Sequence, residues 1–188
     1  MRSLLAAGLW AAGLMLAAAP VPSQGAGGAA PAARFEFLDY TAPVPADWEP
    51  VPPTSRFRAA QFRVPAAAGA APAEAIVYYF GKGQGGTAAA NAARWASQFK
   101  TADGKDVEPK IESLAAGGMP VTIVELRGSY ARGIGMAQAV EATPGQTLLA
   151  AVIESPQGNL TIQLHGDQAT VEQGRAGFMA MVRGFRGR

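Results

Sequence analysis

Thr147-Leu148-Leu149-Ala150-Ala151-Val152-Ile153-Glu154 is apolar at every position between its polar ends. A strand wetted on one side would alternate, because successive side chains point to opposite faces. A short unbroken apolar run therefore predicts a strand covered on both faces. Ala75-Ile76-Val77-Tyr78-Tyr79-Phe80 reads the same way. Two such strands need a layer on each side of their sheet.

Two segments have the helical spacing to supply those layers. In residues 87–99, Ala88, Ala92, Trp95 and Phe99 share one face, with Thr87 as N-cap. Trp95 is expected to pack on the strand at 75–80. The second helix closes the chain, with a stripe of Val171, Phe178, Met181 or Val182, and Phe185. Thr170-x-x-Gln173 has capping-box spacing, and Asp167 is the alternative cap.

The remaining segments read as strands and turns. Phe35-Glu36-Phe37 alternates, and so do residues 57–64, where Arg58 and Arg63 divide the apolar positions. Residues 43–53 (PVPADWEPVPP) hold too many prolines for a helix or a central strand. They predict a rigid crossing loop with Trp48 against the core. Residues 110–115 and 120–130 flank the turn Gly117-Gly118. In the second of these, Val124, Leu126 and Tyr130 face one way, and Glu125 and Arg127 the other. A long loop is expected over 131–146. Pro156-Gln157-Gly158 turns the chain into 159–165, where Leu160, Ile162 and Leu164 face in. The expected order is three strands, a helix, four strands and a helix. Tight turns make neighbouring strands antiparallel. The fold class is α+β: a mainly antiparallel, roughly six- to seven-stranded sheet flanked by two helices, an α/β/α sandwich.

The first residues give an address. Met1-Arg2-Ser3 is a short positive start, residues 4–18 are apolar, and a Pro- and Gly-rich stretch follows. This is the pattern of a secretory signal peptide. The apolar run is shorter than the roughly 20 residues of a membrane span, so no stable span is expected after cleavage. Residues 1–26 are read as signal peptide, 27–33 as a flexible Ala/Gly/Pro segment, and 34–188 as one globular domain. Cleavage after Ala19 would leave Pro20 first, and a site between Ser23 and Ala30 is the alternative. The protein is expected in the periplasm or outside the cell. It has no cysteine, so the core must hold by packing without disulfides. The net charge is only +2. Arg56, Arg58 and Arg63, and Arg183, Arg186 and Arg188, read as solvated faces, with no nucleic-acid motif.

Gly81-Lys82-Gly83-Gln84-Gly85-Gly86 satisfies G-x-G-x-x-G between a strand and a helix. A dinucleotide fingerprint would need a parallel βαβ unit, whereas most connections here are hairpins. The bland reading is a sharp turn. The other is a simple anion held by Lys82, Gly83 and the N–H groups at Thr87. His165, the single histidine, reads as a surface residue beside Thr161 and Gln163. No zinc-ligand spacing, nucleophile elbow or carboxylate pair is evident, so no catalytic residue, metal or cofactor is expected. Trp95, Phe99, Tyr78 and Tyr79 form either core or an aromatic pocket. Ile134 and Met136 are apolar residues in the long loop and so candidates for an interaction surface.

The stretches DWEPVPPTSRFRAAQFRVP (47–65), AIVYYFGKGQGGTAAANAARWASQF (75–99), GMPVTIVELRGSY (118–130) and LLAAVIESPQGNLTIQLHGDQATV (148–171) resemble a family of uncharacterised exported bacterial proteins. That family is distantly similar to the α/β/α sandwiches of the photosystem II protein PsbP. The block YYFGxGQGG…N-x-x-RW-x-x-QF is the most specific part of the resemblance. The chain departs from the family pattern at Phe57, where methionine is usual, and at His165, where threonine is, so no family role passes to His165. The resemblance implies the PsbP-like sandwich and a non-catalytic role. The expected function is an exported accessory domain that binds another protein or an envelope component. A small-ligand carrier is the alternative, and a hydrolase of unknown type the third.

Overall fold

The computed structural model describes residues 33–131 and 142–188. The expected signal peptide, nearly all of segment 27–33, and the loop candidates Ile134 and Met136 lie outside the described residues.

Among the described residues, five strands precede the first helix: β1 (Arg34–Phe37), β2 (Tyr40–Pro43), β3 (Glu49–Pro50), β4 (Arg58–Val64) and β5 (Ala73–Tyr79). Then come α1 (Ala88–Ala96), β6 (Phe99–Lys100), β7 (Lys110–Ala116), β8 (Met119–Tyr130), β9 (Thr143–Ile153), β10 (Leu160–Asp167), α2 (Gln168–Arg183) and β11 (Arg186–Gly187). The main sheet has eight strands in the order β3-β4-β5-β10-β9-β8-β6, with β7 also along β8. A small second sheet joins β1, β2 and β11. Every pairing among the described strands is antiparallel.

The run at 147–154 behaves as read. Leu149, Ala151 and Ile153 enter the core beneath α2, while Leu148, Ala150 and Val152 enter a second cluster with Ala92 and Trp95 of α1. These six residues are at most 4% exposed. Full burial of a Leu, Ile or Val side chain stabilises by about 1.5–3 kcal/mol, so this strand anchors both layers. Val171, Phe178, Met181 and Val182 supply α2's buried stripe, and Phe185 follows beyond the helix end. Trp48 is tucked in at 4% exposure, near Phe62.

The structure corrects several expectations. The proline-rich stretch is not wholly loop: β2 ends at Pro43 and β3 contains Pro50, at a sheet edge where a missing N–H is tolerated. The expected long loop is shortened, because β9 already begins at Thr143. Helix α1 stops at Ala96, and Phe99 starts β6 opposite Tyr130. Phe99 still reaches the α1-side cluster, so the same burial is met by a strand on β8's free edge. The α2 cap is Asp167, whose carboxylate accepts from the Ala169 N–H at 2.9 Å. Thr170 is fully buried instead. Its hydroxyl donates to the Ala71 carbonyl (2.7 Å) and accepts from the Ala67 N–H (3.1 Å), pinning the β4–β5 connection to the helix.

Trp95 does not pack on β5. Its cluster is Val124 and Leu126 of β8 with Leu148, Ala150 and Val152 of β9. Strands β10 and β9 lie between β5 and β8 in the sheet, and α1 sits over the far half. Among the described residues, no helix is long and apolar enough to cross a membrane.

Candidate functional site

The sheet face beneath α1 changes character from strand to strand. On β9 it presents Leu148, Ala150 and Val152. In register beside them, β10 presents His165, Gln163 and Thr161. Next, β5 places Glu74, Ile76 and Tyr78 opposite those three. Beyond, β4 places Arg63, Gln61 and Arg58 opposite the β5 residues, with a bulge between Arg58 and Ala60. Helix α1 has nine residues, about 14 Å of helix, and covers only the apolar half. Among the described residues, no helix roofs strand β5 on this side, contrary to the double cover that its apolar run predicts. Ile76 is nonetheless 6% exposed, with Gln61 and Gln163 beside it in register.

The open half is a cleft of about 370 Å³, walled by Arg94 and Trp95 of α1 and by Gln98 just beyond the helix end, and floored by Ile76, Tyr78, Thr161 and Gln163. At one side, Glu74 Oε1 accepts from Gln61 Nε2 at 2.6 Å and from Arg58 Nη1 at 3.4 Å, and Arg58 also donates to Gln61 Oε1 at 2.8 Å. Along the floor run aromatic rings. Tyr78 and Phe80 are 5.9 Å apart with planes 7° from parallel, and Phe57 lies 5.2 Å from Phe80. Arg56 sits 4.8 Å from the Phe57 ring and Arg58 5.7 Å from Tyr78. Two of the first arginine group are thus not a plain solvated face: the guanidiniums of Arg56 and Arg58 lie against the row of rings, while Arg63 is exposed as expected.

At the α1 wall, Arg94 Nη2 donates to Asn91 Oδ1 at 2.5 Å. Asn91 is 4% exposed, and its amide donates to the carbonyls of Gly85 (2.8 Å) and Thr87 (2.9 Å). His165 is half-buried, its ring 4.3 Å from Tyr130 and edge-on to Phe99 at 6.2 Å. It is not the plain surface histidine the sequence suggested.

Of the four aromatics weighed as a pocket, the structure brings Tyr78 and Trp95 to the cleft. Phe99 is fully buried. Tyr79 faces the other way, packs on Phe37 at 5.2 Å and donates its hydroxyl to the Gln157 carbonyl at 2.8 Å. Sequence reasoning missed Arg58, Glu74, Phe80, Arg94 and Gln98. One signal for them was present. Polar alternation in 160–165 beside a doubly apolar partner means that one face of the sheet is only partly roofed.

Lys82, Gly83 and Thr87 come together in a separate shallow depression with Ser155, Gly158 and Asn159. Thr87 caps α1, its hydroxyl accepting from the Ala90 N–H at 3.1 Å. Asn159 holds the loop from the other side, donating to the Gly86 carbonyl at 3.0 Å. The chain leaves β5, forms α1 and enters β6, which pairs with β8, so this is no parallel βαβ unit. Asp103 and Asp106, at the distance of a ribose-binding acid, are paired with Lys105 and Lys100. Among the described residues, no group of three or more His, Asp or Glu could hold a metal ion.

No protein-family model matches the chain, and no curated protein matches it by sequence. Among solved structures, it is similar to the cyanobacterial PsbP, CyanoP, from Synechocystis: 17% identity over 89% of this chain and 99% of that one, with a TM-score of 0.53. It is also similar to LpqN from Mycobacterium tuberculosis, described as involved in cell envelope biogenesis: 14% identity over 84% and 86% of the two chains, TM-score 0.50. Likeness at such identities is one of fold. Two helices against a large antiparallel sheet give this chain the PsbP-like α+β fold.

Proposed function

We propose that this chain is an exported, non-enzymatic accessory domain of the bacterial cell envelope that holds a partner over the open half of its sheet. The observation that carries the reading is the half-roofed face. Phe57 is 37% exposed, Tyr78 and Phe80 are half-buried, and Arg94 stands at the rim, none of them spent on the core. Aromatic and arginine side chains are the types that dominate binding surfaces. The signal-like start and the envelope role of LpqN support the address. Among the described residues, the cleft lining holds no serine or cysteine, and the carboxylate there, Glu74, is tied to Arg58 and Gln61. That supports binding rather than acyl transfer.

The carrier reading keeps one observation in its favour: about 370 Å³ is within the size range of small-molecule sites. Against an enclosed ligand, both core clusters are filled with side chains. A photo-crosslinking residue placed at Phe80 in the full-length chain, expressed in its own bacterium, separates these readings from none at all. Envelope adducts from position 80, with none from the exposed Gln173 on α2, are expected. Equal adducts at both positions, or none at 80, would remove the reading, as would recovery of the chain in the cytoplasm alone.

A further inference from the structure

We infer that the cleft binds a small planar anion, an aromatic or heteroaromatic carboxylate, with its ring against Tyr78 and Phe80 and its carboxylate at Arg94. This rests on the cleft being the binding surface proposed above.

Charge comes first. Arg58 and Glu74 largely cancel, because they are paired at 3.4 Å. Arg94 has no carboxylate within ion-pair distance among the described residues, and the hydrogen bond it makes is to the neutral amide of Asn91. That amide is buried and fixed by two backbone carbonyls, so the guanidinium is held in place before any ligand arrives. Its remaining N–H donors form a fork that fits a carboxylate. A doubly charged phosphate fits less well, because Arg58, the other arginine of the cleft lining, is already paired with Glu74 and leaves Arg94 to balance a single charge.

Shape comes second. Tyr78 and Phe80 present nearly parallel rings, and Phe57 extends the row. Flat rings gain from stacking on such a row, while a saturated ring loses the π contact. Gln98, Thr161 and Gln163 add neutral donors and acceptors around the floor, enough to orient a one- or two-ring ligand.

Four probes test this on the purified exported protein, followed by backbone amide NMR shifts: 2-naphthoate, 2-naphthamide, cyclohexanecarboxylate and inorganic phosphate. Saturable shifts at Gln98, Thr161 and Gln163 with naphthoate below about 1 mM are expected. The amide, which lacks the charge, and cyclohexanecarboxylate, which lacks the flat ring, should each bind about tenfold more weakly or worse. Arg94→Gln and Tyr78→Ala should each cost naphthoate about tenfold, and Arg183→Gln nothing. Arg94→Lys, which keeps the charge without the fork, guards against a folding artefact and should bind with intermediate strength. Absence of saturable shifts at about 10 mM naphthoate overturns the inference. So does amide binding as tight as the acid, or phosphate binding as tight as naphthoate. If position 80 still crosslinks an envelope partner while naphthoate neither binds nor competes, the ligand class falls and the binding function stands.

Discussion

Asn91 sets the position of Arg94. The buried amide donates to Gly85 and Thr87 on one side and accepts from the guanidinium on the other, so the glycine turn and the cleft rim are linked through one side chain. The two residues should nevertheless differ in effect. Asn91→Ala removes a buried amide and takes the side-chain donor from the Gly85 carbonyl, while Thr87 keeps the backbone N–H of residue 91, and it should lower stability by about 1–3 kcal/mol. Arg94→Gln, at an exposed site, should stay within about 0.5 kcal/mol. Urea denaturation of both variants decides it, and equal losses would make Arg94 a structural residue.

Trp95 carries the α1 layer. It is 3% exposed and packs among Val124, Leu126 and Leu148. Trp95→Ala should cost about 3–5 kcal/mol in the same denaturation assay. A loss under about 1 kcal/mol would mean that the cluster on β8 and β9 holds α1 without it.

The glycine turn makes a graded prediction. Gly83 has φ +73° with open space around it, so Gly83→Ala meets only backbone strain of about 1–2 kcal/mol. Gly158 has φ +116°, and a Cβ there would lie 2.9 Å from Lys82 Cα and 3.0 Å from the Gly81 carbonyl oxygen. Gly158→Ala should therefore lower the thermal midpoint further than Gly83→Ala. Lys82→Ala, on an exposed side chain, should change it little. The reverse order of the two glycine variants would show that the β9–β10 turn does not meet the glycine loop this closely.

Glu125 ties β8 to α2. Burial pushes its carboxyl up, but hydrogen bonds from Arg175 (2.8 Å) and Arg127 (2.5 Å) outweigh that and hold it below the usual range. A carboxylate lowered on folding stabilises above its unfolded value of about 4.3. That contribution is lost as pH falls through the lowered folded value. Wild type should exceed Glu125→Gln by about 1–3 kcal/mol at neutral pH. The gap should close below about pH 4. A gap unchanged down to about pH 3 would rule out the ion-pair account.

Much of the fold was legible because it is local. The doubly apolar run 148–153, the alternation of 160–164, the Thr87 cap and the two apolar helix stripes each follow from residues a few positions apart. Antiparallel pairing followed from the turns between them. The signal-peptide pattern is local too, but it lies in residues the structure does not describe, so export stays an expectation from sequence.

The cleft was not legible, for a physical reason. Periodicity tells whether each side of a segment meets water, but not which neighbour shields it. Ile76 is kept dry with Gln61 and Gln163 beside it in the sheet, not by a helix, and a run of apolar letters cannot distinguish the two. Glu74 meets Arg58 and Gln61 only because β4 pairs with β5 in that register. Where α1 lands depends on strand order: β10 and β9 stand between β5 and β8, so the helix roofs the apolar half and leaves the arginine and aromatic half open. Those are choices of long-range pairing, settled by the burial of Trp95 and Phe99 against β8 and β9, and only the tertiary structure makes them.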